Sequence, residues 1–165
     1  GYATAAVFGR SEVMEAAQST FISSNFWTER IGPTAALKTL EVMERERSWE
    51  RITETGCDIG MRWQALARKH DLPIQISGLP ALISFGFPVP DMLKYKTLIT
   101  QEMLKKGYLA ATAVYVCTEH TPEVVDAYFE ELDPIFALIA ECESGRSVDD
   151  LLEGPVCHAG FKRLN

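Results

Sequence analysis

The clearest periodicity in the chain lies between Ser48 and His70. Apolar or small residues recur there at alternating spacings of three and four, which places them on one face of an α-helix. This stripe consists of Trp49, Ile52, Gly56, Ile59, Trp63 and Leu66. The pattern predicts a long helix that packs one face against a core. We expect the helix to end at Asp71-Leu72-Pro73, because the residue before a proline disfavours helical backbone.

A different periodicity follows directly. Residues 74–77 alternate between apolar and polar side chains, residues 78–80 (Gly-Leu-Pro) are typical of a turn, and residues 81–87 are largely apolar. This arrangement predicts a β-hairpin. Residues 108–117 are apolar and partly β-branched, which predicts a third strand.

Two further helices are predicted around these strands. Residues 31–46 have apolar positions at helical spacing, with Gly32-Pro33 in the first turn, where proline is tolerated. Residues 91–106 end in two lysines followed by Gly107, a cationic last turn with glycine directly after the helix.

The strongest helix start in the chain is Thr121-Pro122-Glu123. It combines a capping hydroxyl, a proline in the first turn and an acid near the positive end of the helix dipole. The predicted apolar face comprises Val125, Tyr128, Leu132, Ile135 and Ile139. Pro134 lies inside this helix and is expected to kink it or to divide it in two. Residues 147–153 predict a last short helix.

The first 47 residues give weaker signals. Ala5 to Gly9 favour a buried strand, residues 11–18 a helix, and Thr20 to Ser24 another short extended piece. The predicted order is therefore β-α-β-α-α-β-β-α-β-α-α. It indicates an α+β fold, a small antiparallel sheet with helices on one side, over residues 48–165. Residues 1–47 are too few to form a domain alone, and we expect the chain to be cut from a longer protein.

Composition and charge narrow the possible functions. The chain has 165 residues and a net charge of −7, which argues against nucleic-acid and anionic-membrane partners. No apolar run approaches the ~20 residues needed to span a bilayer. The four cysteines form no CxxC pair, so we expect no metal site or disulfide framework, and reduced thiols in the cytoplasm. The three histidines share no ligand or triad spacing, so no residue is assigned a catalytic role.

The junction before residue 31 is chemically the most suggestive stretch. A polar run that includes Asn25 leads through Phe26-Trp27-Thr28 into a helix start. Free backbone N–H groups at a helix N-terminus bind anions, and phosphate is a common occupant. Asn25 and Thr28 can add side-chain donors, and Arg30 can add charge. The alternative is that Phe26 and Trp27 fill a core or a subunit interface.

Three motifs carry a resemblance to a known family. GYATAAVFGRSEVMEAA, FISSNFWTERIGPTAALKTLE and the stretch from Gly107 to Thr121 together resemble class III aminotransferases, in particular the branch of glutamate-1-semialdehyde aminomutase. The resemblance covers essentially the whole chain. It implies a fold-type I enzyme that uses pyridoxal 5′-phosphate (PLP) and an amino donor and acceptor. It also implies a homodimer with active sites at the subunit interface.

The resemblance further implies which part of the enzyme is present. In the family, the lysine that forms a Schiff base with PLP lies just before the glycine-tyrosine motif with which this chain opens, and no lysine precedes Lys38 here. We therefore expect a C-terminal fragment that is inactive alone and does not retain PLP. Residues 1–47 would belong to the large PLP-binding domain and the interdomain helix, and residues 48–165 to the small domain.

The resemblance also gives the junction a role. In the family, a threonine in this loop binds the cofactor phosphate of the neighbouring subunit. The matching position is Asn25, which lacks the hydroxyl but keeps a donor, beside the backbone N–H of Phe26. Thr28 is the alternative donor. Ala3 in place of proline and Cys117 in place of serine are further departures from the family pattern.

A second hypothesis requires no chemistry at all. A small α+β interaction or regulatory domain would also have no Schiff-base lysine. Against it, residues 1–47 have strand and helix signals without a visible partner layer.

Overall fold

The computed structural model describes residues 2–21 and 26–160. The chain divides into two compact units, Gly1–Arg47 and Ser48–Asn165, and each is described by itself below. None of the helices in the described ranges is long and apolar enough to cross a membrane.

The first unit contains helix α1 (Ser11–Met14), a 3-10 turn (Glu15–Ser19) and helix α2 (Ile31–Glu46). Its N-terminal segment passes over the start of α2 at Gly32. A Cβ atom at Gly32 would lie 2.2 Å from the hydroxyl oxygen of Thr4 and 2.9 Å from the carbonyl oxygen of Ala3. Glycine at this position therefore permits the close approach of the two segments. The α2 helix ends at Arg47, which has a left-handed backbone with φ of 49°.

The strand predicted at Ala5 to Gly9 is not formed, and the other predicted strand is absent at Thr20 and Phe21, the part of it that is described. Val7 is 82% and Phe8 90% exposed, so this segment buries neither of its large side chains. A strand needs a neighbour for its backbone N–H and C=O groups, and no part of residues 2–21 and 26–47 supplies one. Residues 2–21 and 26–47 therefore contribute helices but no strand.

The second unit contains the predicted antiparallel sheet. Strands β1 (Gln75–Leu79) and β2 (Leu82–Gly86) form the hairpin, and β3 (Ala113–Tyr115) pairs with β2, so the order is β1-β2-β3. Ile83 and Phe85 on β2 are buried, whereas Leu82 between the turn and Ile83 is 41% exposed. The sheet therefore has one covered and one open face, as the α+β prediction requires.

Helices α3 (Ser48–Lys69), α4 (Met92–Lys105) and α5 (Pro122–Glu143) pack on the covered face. Trp63 of α3 and Phe136 of α5 contact Phe85, with ring centroids 4.6 and 5.8 Å apart from it. Tyr95 of α4 contacts the ring of Phe87, which follows β2, at 6.1 Å. An aromatic cluster thus joins the three helices to the sheet.

Two buried glycines of α3, Gly56 of the predicted stripe and Gly60 beside it, set the distance of this helix from the hairpin. A Cβ atom at Gly56 would lie 1.9 Å from the carbonyl oxygen of Pro80, in the turn between β1 and β2. A Cβ atom at Gly60 would lie 2.7 Å from the terminal methyl group of Ile83. The rest of the predicted stripe also faces the core, except that Trp49 at its start is 43% exposed.

Helices α3 and α5 run parallel. Arg62 pairs with Asp126 and Lys69 pairs with Asp133, so both ion pairs join residues 64 positions apart. Between them, the indole N–H of Trp63 donates a buried hydrogen bond of 3.0 Å to the hydroxyl of Tyr128. The predicted apolar face of α5 is buried along its length.

The remaining helix predictions have mixed outcomes. Gly107, with φ of +87°, follows the last turn of α4, and the N–H of Tyr108 donates to the Met103 carbonyl at 3.0 Å, which is a Schellman motif. Pro134 does not divide α5, which is one helix. Leu132 and Ile135 on either side of the proline are almost fully buried, so packing stabilises the helix across it. The predicted last helix is reduced to a 3-10 turn, Asp149–Leu151.

Candidate functional site

The residues directly before α2 form an exposed turn. The backbone N–H of Glu29 donates to the carbonyl of Phe26 at 2.8 Å. Trp27 has a φ of 45° and is 83% exposed, and Thr28 is also exposed. A bulky residue with positive φ costs free energy, on the order of 1 kcal/mol, and such strain is concentrated at functional segments. The structure places the predicted cofactor-binding residues Phe26 and Thr28 on this turn, while Asn25 lies outside the described residues.

One of the helix-start N–H groups already has an anionic partner. The N–H of Ile31, the first residue of α2, donates to the side-chain carboxylate of Glu29. The N–H of Thr34 already bonds within the helix, to the Arg30 carbonyl at 3.0 Å. The turn therefore holds a negative group where the helix dipole favours one.

These donors fit a phosphate group in their chemistry. The Thr28 hydroxyl and the backbone N–H of Ile31 are the kinds of donor that phosphate sites use. A phosphate bound there would have to displace the Glu29 carboxylate, since two anions cannot share one N–H group. Residues 26–31 are all exposed, so the turn is an open surface rather than a pocket.

The second unit holds a different candidate, the loop between β3 and α5. The N–H of Cys117 donates to Nδ1 of His120 at 3.1 Å, and the N–H of His120 donates to the Cys117 carbonyl at 3.1 Å. Because Nδ1 accepts a hydrogen bond, a neutral His120 carries its proton on Nε2. Thr121 then caps α5, as predicted, with its hydroxyl 3.5 Å from the N–H of Val124. The part of the third motif that resembles the aminotransferases thus forms a closed loop that starts a helix.

His120 lies between two hollows. One is an apolar groove beside β3, and the other is a polar cleft of about 500 Å³ beside α3. The two arginines of the cleft are engaged, Arg51 with the Thr118 carbonyl at 3.4 Å and Arg62 with Asp126 at 2.6 Å. Two arginines and three carboxylates, those of Glu54, Asp58 and Asp126, line the cleft, so it has no excess positive charge that would attract an anionic substrate.

The sequence patterns did not predict the pairing of His70 with Asp133. Nε2 of His70 lies 2.5 Å from Oδ1 of Asp133, and the ammonium of Lys69 binds the other carboxylate oxygen. Hydrogen bonds from Lys69 and then from His70 lower the pKa of the Asp133 carboxyl group. These groups are 63 and 64 positions apart in sequence, so only the parallel register of α3 and α5 could have indicated the cluster.

The described residues form neither a disulfide nor a cluster of metal ligands. All four cysteines are free thiols. Among residues 2–21 and 26–160, no three His, Cys, Asp or Glu side chains are placed to hold a metal ion. The His70 cluster joins two helices at their surface and lines no deep cavity, so it has the geometry of a structural clamp.

Comparison with solved structures gives the class of fold. The chain is similar to the FumI protein of a Sphingopyxis strain, solved in its PLP internal aldimine form, with a TM-score of 0.71 and 19% sequence identity. The match covers 87% of this chain and 36% of that one. The described α+β fold is therefore a fold found in a PLP-containing protein, and the prediction of the fold class is confirmed.

Comparison by sequence gives the class of relatives. The chain is 29% identical over 129 residues to a 3-aminobutyryl-CoA aminotransferase of Cloacimonas acidaminovorans, covering 74% of this chain and 31% of that protein. It is 29% identical over 108 residues to the 4-aminobutyrate aminotransferase GabT of Escherichia coli, covering 65% of this chain and 25% of that protein. No family model matches. These relatives are aminotransferases, and the chain spans less than a third of the length of each.

Proposed function

We propose that this chain is the C-terminal part of a PLP-dependent aminotransferase that acts on an amino acid or another small amino compound. The observation that carries the proposal is an agreement between independent comparisons. A PLP-containing protein shares the fold over 87% of the chain, and the two sequence relatives are both aminotransferases. The three motifs named above add support, since they resemble the same class of enzyme.

When bound, PLP supplies an electron sink for chemistry at the carbon that bears the amino group. Residues 26–31 would hold the phosphate of the cofactor in the partner subunit of a homodimer. The Thr28 hydroxyl, the side chain of Asn25 and backbone N–H groups would donate, and Glu29 would turn away. The second unit, residues 48–160, would serve as the small domain of a cytoplasmic enzyme.

This assignment makes the isolated chain inactive. The first lysine is Lys38, inside α2 and exposed, where its ammonium pairs with Glu41 at 2.7 Å. It therefore lies in a solvated ion pair, whereas a Schiff-base lysine is activated by desolvation or by a nearby cation. The lysine that binds PLP would lie before Gly1 in a longer polypeptide.

The direct test uses a longer polypeptide from the same gene, extended before Gly1 and mixed with PLP. We expect a shifted visible absorption band that borohydride removes, and mass spectrometry that locates a reduced adduct on a lysine before Gly1. The isolated chain should turn over no amino donor. Absence of both band and adduct would reject the proposal and favour the non-catalytic interaction domain.

The role of the turn before α2 is tested in that holoenzyme. Thr28→Ala should raise the Kd for PLP roughly tenfold to a hundredfold, because a hydrogen bond to a charged group contributes about 1.5–3 kcal/mol. The ³¹P resonance of the bound phosphate should also shift. Thr28→Ser should restore both, and Thr39→Ala should change neither, since the Thr39 hydroxyl bonds the Ala35 carbonyl within α2 at 2.9 Å. Equal Kd values for Thr28→Ala and Thr39→Ala would assign the phosphate contact to Asn25 instead.

Within the family, we propose the aminomutase-like branch, on the motifs that resemble glutamate-1-semialdehyde aminomutase. An aminomutase moves an amino group within one substrate, whereas an aminotransferase needs a separate acceptor. Isomerisation of an amino aldehyde by the holoenzyme, without an added keto acid, would support the branch. Strict dependence on a keto acid would reject it and leave the aminotransferase proposal intact.

A further inference from the structure

Strand β3 has a free hydrogen-bonding edge. It is the last strand of the sheet, and its single neighbour is β2. Towards β2, the carbonyl of Thr112 accepts a backbone hydrogen bond of 2.9 Å and the N–H of Val116 donates one of 3.0 Å. Backbone groups alternate in direction along an antiparallel strand, so the N–H and C=O groups of Ala113 and Tyr115 face away from β2. None of the described backbone hydrogen bonds engages these four groups.

An apolar groove of about 330 Å³ runs along this edge. All three residues of β3 line it, although neighbouring side chains of a strand point to opposite faces. A hollow in contact with both faces of the strand must follow its edge. The opposite wall comes from the first turns of α5, at Val124 and Val125. Leu109, at one end of the groove, is 97% exposed.

The groove has few charged groups, although the chain as a whole is highly charged. No Asp, Glu, Lys or Arg lines it, whereas such residues make up 24% of the sequence and the net charge is −7. The one basic side chain in its lining is His120, whose Nδ1 accepts the hydrogen bond from the Cys117 N–H. The hydroxyl of Tyr128 accepts the hydrogen bond from Trp63, so it is already engaged. Strand β3 contains neither a charged residue nor a proline, the residue types that normally keep an exposed strand edge from pairing with other chains. A cationic occupant would lose its hydration here without gaining an ion pair, because no carboxylate lines the groove.

We propose that this groove binds an extended, uncharged polypeptide segment, which pairs with β3 as a fourth strand of the sheet. The free groups of Ala113 and Tyr115 would bond the backbone of the segment. Apolar side chains on one face of the segment would pack against Val124 and Leu109. Main-chain bonds then provide affinity, and a wall without carboxylates selects against cationic sequences. This inference does not depend on the aminotransferase proposal.

The test uses the full chain and an acetylated, amidated peptide of alternating threonine and valine, Thr-Val-Thr-Val-Thr. In amide NMR spectra we expect saturable shifts centred on residues 109–115 and slower hydrogen exchange of the Ala113 and Tyr115 amides. The same peptide with lysine in place of one valine should bind at least tenfold more weakly. Shifts that lie elsewhere, or an equal affinity for the lysine peptide, would overturn the proposal.

Two variants separate the edge from the wall. Ala113→Pro removes an N–H that faces away from β2, so the sheet should still form and the affinity for the peptide should fall roughly two- to tenfold. Val124→Lys places a cation in the wall of the groove and should lower the affinity for the peptide at least as much. Leu104→Lys is the matched control, an exposed apolar residue on α4 outside the groove, and should bind normally. If Ala113→Pro fails to fold, Val124→Lys decides the question.

The groove could instead be covered by a second copy of this chain. Sedimentation would then show a dimer that dissociates in Val124→Lys but not in Leu104→Lys, and the peptide would compete with dimer formation. That result would assign the edge to self-association and overturn the proposal of a separate peptide segment.

Discussion

Replacing Gly56 by alanine tests how α3 is seated on the hairpin. The new Cβ atom would lie 1.9 Å from the carbonyl oxygen of Pro80 and 2.6 Å from its carbonyl carbon. Ordinary van der Waals contact begins at 3.4 Å, so the helix or the turn has to move by about 1.5 Å. The obstacle is backbone in a tight turn, so it cannot rotate away as a side chain can.

Two effects of known size oppose each other in this variant. Alanine is the better helix former by about 0.8–1 kcal/mol. Overpacking a well-packed region costs about 1–3 kcal/mol and occasionally more. The overlap at Gly56 is severe and involves backbone, so we place its cost at the upper end of that range. After the gain in helix propensity is subtracted, the free energy of unfolding should fall by roughly 2 kcal/mol.

Gly60→Ala supplies the matched control, four residues along the same helix and equally buried. Its Cβ would meet the terminal methyl group of Ile83 at 2.7 Å, which a rotamer change of Ile83 can relieve. Its gain in helix propensity is the same, so its stability should stay within about 1 kcal/mol of the unchanged chain.

Urea denaturation followed by circular dichroism measures both variants, with hydrogen exchange to locate the damage. We expect lost protection in the β1–β2 turn, residues 78–82, for Gly56→Ala alone. If Gly56→Ala proves as stable as the unchanged chain, or more stable than Gly60→Ala, then the turn is compliant and the reasoning about close helix–hairpin contact is wrong.

Other predictions concern the interface between α3 and α5. Tyr128→Phe should lower the free energy of unfolding by about 1–3 kcal/mol, because it leaves the buried N–H of Trp63 without its acceptor. The control Tyr115→Phe should leave the stability unchanged, since Tyr115 is 76% exposed. Equal stabilities of the two variants in urea would contradict this prediction. The lowered pKa of Asp133 stabilises the fold above the usual aspartate pKa, and this contribution disappears as the pH falls through the lowered value. Asp133→Asn should therefore flatten the loss of stability in acid, whereas Glu130→Gln on the same helix should not; identical pH profiles in thermal melts would refute the clamp.

The second unit was largely predictable because its signals are local. The stripe on α3, the alternation in the hairpin and the start of α5 each depend on spacings within about 20 residues, and all three are formed. The strand prediction for Ala5 to Gly9 was wrong, because a strand depends on a pairing partner that the pattern of its own residues does not reveal. Pro134 did not divide α5, because burial of its neighbours outweighed a local helix-breaking tendency.

The candidate sites were less accessible to sequence reasoning. The turn at residues 26–31 was predicted from a helix-start pattern, but the pattern does not show that the Glu29 carboxylate folds back onto the N–H of Ile31. The free edge of β3 depends on strand order, and the pairing of His70 with Asp133 depends on helix register. Both are properties of contacts between distant segments, which single-residue preferences do not encode.

The parallel arrangement of α3 and α5 has a consequence for the order of folding. Two adjacent antiparallel helices can zip together through a short loop, but these two meet only after the chain has returned past the hairpin, α4 and β3. Closing a loop of 64 residues costs roughly 4 kcal/mol in chain entropy before any contact forms between the helices. The hairpin closes a short loop, which costs little chain entropy. We therefore expect it to form early and to present Ile83 and Phe85 as the surface against which α3 packs first. The pairing of Trp63 with Tyr128 then belongs to a late step, and a nascent chain that ends before residue 121 would leave the α3 stripe partly uncovered.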